Sequence, residues 1–178
     1  MSRTLVAYYS RTGHTRELAR ELAAMIGPEA DVEEIFEATP RRGALGWVRS
    51  VFEALLRLRP RLHAGVHSPA AYDLVLIGGP IWMGRLAPAV RAYAADAIAP
   101  STRVAYFATQ DGPDSAAAWE DLERIGAARA VACHSVRMRA VPTHVRRAEL
   151  DRFLARARSA QPAAPERRSG ATSRHAHG

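Results

Sequence analysis

"VAYYSRTGHTREL", Val6 to Leu18, is the stretch whose reading decides the fold. An apolar run stops at Ser10. Six residues later an amphipathic pattern is under way, with Leu18, Leu22, Met25 and Ile26 on one face and Arg16, Glu17, Arg20 and Glu21 elsewhere. The first half reads as a buried strand, Thr4–Tyr9, and the second as a helix, Gly13–Ile26. Between them the hydroxyls of Ser10, Thr12 and Thr15 surround Gly13. Where a parallel strand hands over to a helix, the first backbone N–H groups have no intrahelical partner, and anions bind there. The helix field contributes about 0.3–1 kcal/mol, up to ~2 when partly buried, and each neutral hydrogen bond on the order of 1 kcal/mol net. The stretch predicts a phosphate site. It has no lysine and no obvious magnesium ligand, so it suits holding a terminal phosphate as a handle, not transferring it. The plainer alternative is that Ser10 or Thr12 only caps the helix.

The alternation continues along the chain. "VEEIF" (Val32–Phe36), "DLVLI" (Asp73–Ile77), "RVAYFAT" (Arg103–Thr109) and "AVACHSV" (Ala130–Val136) read as strands; Leu86–Ala95, Ser115–Ile125 and Arg146–Ala157 read as helices. Continuous apolar strands between helices are buried on both faces, as in a parallel sheet. The prediction is an α/β fold: a three-layer, doubly wound, five-stranded parallel sheet. One domain is expected over residues 1–158, with an extended basic insertion at 37–71 between strands two and three. Residues 159–178, rich in Pro, Ala, Ser and Gly, read as a disordered tail.

Composition narrows the function classes. The 178 residues are 48% hydrophobic, yet no apolar run approaches the ~20 residues of a membrane span. The opening "MSRTLVAYYS" turns polar too soon for a signal peptide. Cys133 is the sole cysteine, which excludes an internal disulfide and a cysteine metal cluster. A reduced, cytoplasmic setting is expected. Net charge is +7, and all 25 basic residues are arginine. The absence of lysine excludes a Walker-type phosphate loop and Schiff-base chemistry. No G-x-G-x-x-G fingerprint, catalytic-cysteine phosphate loop, H-E-x-x-H or nucleophile elbow occurs. Cys133 reads as a buried structural thiol, with His134 facing the other side of its strand. His63, His67 and His144 lack metal-ligand spacing, so no metal is expected.

"SRTGHT" resembles the phosphate-binding loop of flavodoxins, a Thr/Ser-x-Thr-Gly-x-Thr pattern after the first strand. The resemblance covers roughly Thr4 to Ala157 and implies the strand order 2-1-3-4-5, for which flavodoxin is the familiar example, with FMN at the switch point. In that family the hydroxyls and amides of the loop grip the FMN phosphate. Ser10, Thr12, Gly13 and Thr15 match, and Arg11 and His14 fill the variable places. A second stretch, "IGGPIWMGRLAP" (Ile77–Pro88), looks like the flavodoxin loop that carries an aromatic against the isoalloxazine. Trp82 corresponds to that platform, among Pro80, Ile81 and Met83, since an indole at a crevice rim stacks on a flat ring. Gly84 corresponds to the glycine whose peptide flips to bond the reduced flavin. The plainer reading packs Trp82 on its own helix. A third loop, "ATQDGPDS", offers Thr109, Gln110, Asp111 and Gly112 to the ring's polar edge, but lacks the family's usual second aromatic; an ordinary turn is its alternative.

The resemblance implies an FMN-binding, flavodoxin-like redox protein that carries electrons by way of the flavin. Two alternatives stand beside it: an NAD(P)H- or quinone-linked FMN oxidoreductase, including protoporphyrinogen-oxidase-like activity, and a flavin-free binding module of the same fold. No general acid or base stands out, so the sequence leaves open whether the protein is an enzyme; flavin reactions often need neither. The expected partner is a redox protein or a small-molecule acceptor, an acidic one matching the basic chain.

Electron-transfer flavodoxins are typically acidic, whereas this sequence has a pI near 10.6. A positive charge ~10 Å from the ring at an effective dielectric of ~20 is worth roughly 1.7 kcal/mol, on the order of 70 mV for one electron. A flavin held here is therefore expected to be easier to reduce fully than in acidic relatives. The insertion is the second departure. It carries six arginines from Arg41 to Arg61 against one acid, Glu53, with Trp47, Val51, Leu55 and Leu58 on one helical stripe. It reads either as a crossover helix with a solvated basic face or as a docking surface for an acidic partner or an anionic membrane. Arg167 and Arg168 have no aromatic–basic reading surface around them, which argues against nucleic acid.

Overall fold

The computed structural model describes residues 2–38, 60–99, 101–112, 115–125, 127 and 129–160. The arginine-rich stretch up to residue 59, with Trp47 and its stripe, and the tail from residue 161 lie outside the described residues.

Strands β1 (Thr4–Tyr8), β2 (Ala30–Glu34), β3 (Leu74–Trp82), β5 (Val104–Thr109) and β6 (Ala130–Val136) form a parallel sheet in the order β2-β1-β3-β5-β6. The two-residue strand β4 (Arg85–Leu86) folds back antiparallel on the end of β3. Apart from β4, the spatial order is the predicted 2-1-3-4-5. Helices α1 (His14–Ile26), α2 (Pro88–Asp96), α3 (Ala116–Arg124) and α4 (Thr143–Ser159) complete the described elements, with a 3₁₀ turn at Pro69–Ala71.

Successive strand residues point to opposite faces, and here each face has its own core. Leu5, Ala7, Val75, Ile77, Val104 and Tyr106 pack with Ala89, Val90 and Tyr93 of α2 and Leu122 of α3. Val6, Tyr8, Leu74, Leu76, Ala105 and Phe107 pack with Leu18 and Leu22 of α1 and Leu150, Phe153 and Leu154 of α4. This is the three-layer arrangement read from the apolar runs. Cys133 joins the first face and His134 stacks on Phe153 at the second, with ring centroids 5.8 Å apart. Burial pushes the Cys133 thiol up to about 11 and the His134 imidazole down.

Several predicted boundaries move. The second strand ends at Glu34 instead of Phe36, because past Ile35 the chain leaves β1 and pairs Glu37 with Leu62 instead. The third runs to Trp82, five residues beyond the predicted end at Ile77, because pairing with β5 continues from Gly78 opposite Phe107 to Pro80 opposite Thr109 and β4 then pairs with Ile81 and Trp82. Leu86, expected in a helix, belongs to β4; α2 starts at Pro88, a residue preorganised for a first helical position. The last helix gains a turn at its start and runs to Ser159. Among the described residues, no helix is long and apolar enough to cross a membrane, and no three His, Cys, Asp or Glu side chains cluster as metal ligands.

Candidate cofactor site

The carboxyl ends of β1, β3, β5 and β6 open on one side of the sheet, and the connections that follow them meet at a crevice of about 170 Å³. Thr12 comes from the first connection and His14 from the start of α1, Pro80, Ile81 and Trp82 from the end of β3, Thr109 from the end of β5 with Gln110 and Asp111 following it, and Met138 and Arg139 from the connection after β6.

The first connection is built around Ser10. Its Oγ accepts the backbone N–H groups of Gly13 and Arg16, both at 3.2 Å, so one hydroxyl both closes the turn and caps the helix. Gly13 sits at φ 96°, the left-handed region where a side chain is strained, and a Cβ there meets nothing within 4 Å. The space over this turn is open. Ser10 takes the Arg16 N–H and leaves those of His14 and Thr15 without protein partners among the described residues, at the positive end of α1. Thr12 and Arg11 are exposed beside them.

Thr15 has a different place from the one its spacing implies. Its side chain is buried, and its Oγ1 lies 2.8 Å from Thr109 Oγ1. The two hydroxyls tie the start of α1 to the end of β5, and Thr109 lines the crevice.

Trp82 lies in the last residue of β3, not on a helix. The turn Met83–Gly84 joins it to β4 with φ of 50° and 74°, and Trp82 pairs with Arg85 across it. Two central residues with positive φ make a type I′ hairpin turn, whose twist matches the strands. The glycine satisfies this freely and the methionine does not. Met83 and Gly84 therefore form the hairpin tip beside the crevice. Tyr9 braces the indole edge-on, with centroids 6.1 Å apart and planes at 84°. The glycine pair preceding Pro80 serves packing: a Cβ on Gly78 would overlap the Phe107 ring.

Gln110 carries the clearest unmet demand. Its backbone N–H donates to Val136 O at 3.0 Å, and its Nε2 donates to Ser135 Oγ at 3.1 Å. Its Oε1 is buried with no partner, which costs stability unless a ligand donor reaches it. Gly112 follows in the same connection, outside the crevice wall, with open space where its Cβ would be.

Charge around the site is partly neutralised. The Arg16 guanidinium forks onto Glu34, with Nη2–Oε1 at 2.7 Å, and Tyr8 donates to the same carboxylate at 3.1 Å. Burial pushes the Tyr8 phenol up, against the pull of Arg16. Arg139 is exposed at the crevice. It and Met138 escape sequence reasoning because their connection carries no motif, although β6 ends at the same side of the sheet as its neighbours.

FMN needs donors for a phosphate, a flat surface for a ring and an acceptor for the ring's imide N–H. The free amides of α1 with Thr12 and Ser10, the indole of Trp82, and Gln110 Oε1 answer those needs in one crevice. The residues present fit the group.

No curated protein matches the chain. Among solved structures, a provisionally named flavoprotein from Bacteroides eggerthii superposes with a TM-score of 0.71 at 27% identity, covering 86% of this chain and 99% of that one. A flavoprotein from Lactobacillus acidophilus, solved in complex with FMN, gives 0.64 at 18% identity over 86% and 99%. The two-electron reduced flavodoxin of Megasphaera elsdenii gives 0.52 at 20% identity over 88% and 99%. A family model described as flavodoxin matches residues 3–138, most of the chain. With the strand order, the two-sided core and the first-strand turn agreeing with that match, the chain belongs to the flavodoxin family.

Proposed function

We propose that this protein binds FMN in the crevice and carries electrons through it. The observation that carries the reading is the convergence, at one side of the sheet, of a helix start with free amides, an indole braced by Tyr9 and the orphaned Gln110 Oε1. When bound, the flavin supplies the redox chemistry; the chain binds and orients it. Ser10 holds the turn so that the amides of His14 and Thr15 face outward. Trp82 offers its face to a flat ring, and Gln110 offers an acceptor at its polar edge. The Thr15–Thr109 tie keeps the start of α1 in register with the end of β5. The crevice is smaller than the ~300–1,000 Å³ of an enclosing ligand pocket. A ring held in it keeps an edge outside, where a redox partner reaches it.

The test is a titration of cofactor-free protein with FMN and with riboflavin, read by flavin fluorescence. FMN is expected to be quenched at lower protein concentration than riboflavin, the ratio reporting the phosphate contacts. Unchanged fluorescence with both flavins overturns the reading and leaves a flavin-free module of the same fold.

One observation favours an oxidoreductase as the second reading. Arg139 stands exposed at the crevice, and a guanidinium suits a donor that carries phosphate or carboxylate. NADH and NADPH consumption with a quinone acceptor separates the two: turnover by the FMN-loaded protein that falls when Arg139 becomes alanine identifies an enzyme, and absence of turnover identifies a carrier. The Arg41–Arg61 docking surface for an acidic partner or an anionic membrane remains part of the proposal, tested by binding to anionic vesicles before and after neutralising those arginines.

A further inference from the structure

A second cavity, about 250 Å³, opens beside β2. Its walls are residues 32–36, the returning segment 63–67 and Tyr93 of α2. Two polar side chains in it are more than nine-tenths buried: Glu33 is 8% exposed and Tyr93 7%. Glu33 Oε1 accepts the Val66 N–H at 2.6 Å. Glu33 Oε2 and the Tyr93 hydroxyl are buried with no partner.

The other two acids of β2 are provided for. Asp31 has Arg3 at 3.1 Å and the Tyr72 hydroxyl at 2.7 Å, and Glu34 has Arg16. Glu33 alone among them has no cation within the described residues. The backbone makes room for it: a Cβ on Gly65 would overlap the Glu33 carboxylate. The apolar side chains of the same segment are meanwhile turned outward, with Phe36 57% and Val66 90% exposed. An acid inside and apolar groups outside reverses the pattern a sheet edge needs for stability. Burying an uncompensated carboxylate is costly, and such local reversals cluster at functional positions. The rim is also held in place. His67 Nδ1 lies 2.7 Å from the Tyr72 hydroxyl, which in turn bonds Asp31. Burial, and then the charge of Glu33, push the Tyr93 phenol up, so it keeps its proton.

We propose that this cavity binds a primary ammonium group carried on a small aromatic or apolar body. The ammonium has three donors and no acceptor, which matches the free Glu33 oxygen and the lone pair of Tyr93. Val32, Phe36 and Val66 give the body an apolar rim. An apolar cavity of about 150 Å³ takes a benzene ring, so the space here accepts a ring with a short arm. The site is separate from the flavin crevice and stands whether or not FMN binds.

The probe is phenethylamine, protonated at neutral pH, against its uncharged analogue phenethyl alcohol. Both are titrated into the full chain and followed by amide chemical shifts. The amine is expected to move the amides of residues 32–36 and 63–67 and to bind at least about tenfold more tightly than the alcohol, as a lost charge-assisted hydrogen bond requires. Glu33→Gln should abolish that preference and Tyr93→Phe should reduce it, with circular dichroism melts showing that each variant folds. Absence of binding by the amine overturns the proposal. So does equal binding of amine and alcohol to the native chain, a result that needs no variant.

Discussion

Replacing Asp121 by asparagine should remove a large part of this protein's stability. Asp121 is 1% exposed and faces Arg91, whose side chain is 4% exposed, with Oδ2 and Nε 2.7 Å apart. Neither atom makes an aligned hydrogen bond there, so charge holds the pair. Arg124 approaches the other oxygen at 3.4 Å and Arg85 at 3.9 Å. Asparagine keeps the size and deletes the charge. Arg91 then stays buried without the Asp121 charge, and breaking a buried pair from one side costs about 3–5 kcal/mol. Arg124 is half exposed and adds less than ~1 kcal/mol. For a chain of this length each kcal/mol lowers Tm by about 2–4 °C, giving an expected fall of roughly 6–20 °C in a circular dichroism melt. The double variant Arg91→Met with Asp121→Leu should recover most of the loss, since an apolar pair fills the space without a stranded charge. A single-variant fall below ~3 °C, or a double variant no better than the single, refutes the assignment of this pair as a buried mutual counter-charge. Arg85 belongs to the hairpin that carries Trp82, so FMN affinity of the single variant should also weaken, by less than its stability does.

Thr15→Val should cost about 1–3 kcal/mol in a denaturant melt, because it strands the buried Thr109 hydroxyl, and Thr15→Val with Thr109→Val should cost less than the sum of the singles. Trp82→Ala should weaken FMN binding by roughly twofold to twelvefold, the equivalent of about 0.5–1.5 kcal/mol of ring stacking; fluorescence titration reads it. The Cys133 thiol, held up to about 11, contributes stability that is complete below the ordinary thiol range and is lost as pH rises toward 11. Cys133→Ala should flatten the alkaline limb of a stability–pH curve and leave the region below pH 8 unchanged in slope. Burial lowers the His134 value, so its contribution is present above the ordinary histidine value of about 6.5 and is lost as pH falls below it. His134→Leu should shallow the acid limb there.

The layers were legible because apolar runs such as "DLVLI" leave no polar face and must be covered twice. The first-strand turn was legible because hydroxyls around a glycine at a strand–helix junction have few other uses. Three features stayed hidden for physical reasons. The β3–β4 hairpin turns on Met83, a residue whose propensity argues against positive φ; tertiary pairing of Ile81 with Leu86 overrides it. Thr15 pointed at a ligand by spacing, but a helix residue one position past its start turns inward, and only the sheet order brings Thr109 to meet it. Glu33 sits in "VEEIF", a run that reads only as a strand; which side of an edge strand is covered depends on residues 63–67, distant in sequence.

The layer made by α1 and α4 joins helices from near the two ends of the chain, and Arg146 of α4 grips Glu21 of α1 at 2.9 Å. The opposite layer is contiguous, drawn from Leu74 to Arg124. During synthesis the contiguous half and α1 can settle on the central strands first, while the face of β6 that Leu150 and Phe153 cover waits until α4 has cleared the ribosome. That interval is when a chaperone has something greasy to hold, and its length is set by translation speed from β6 to the end of α4.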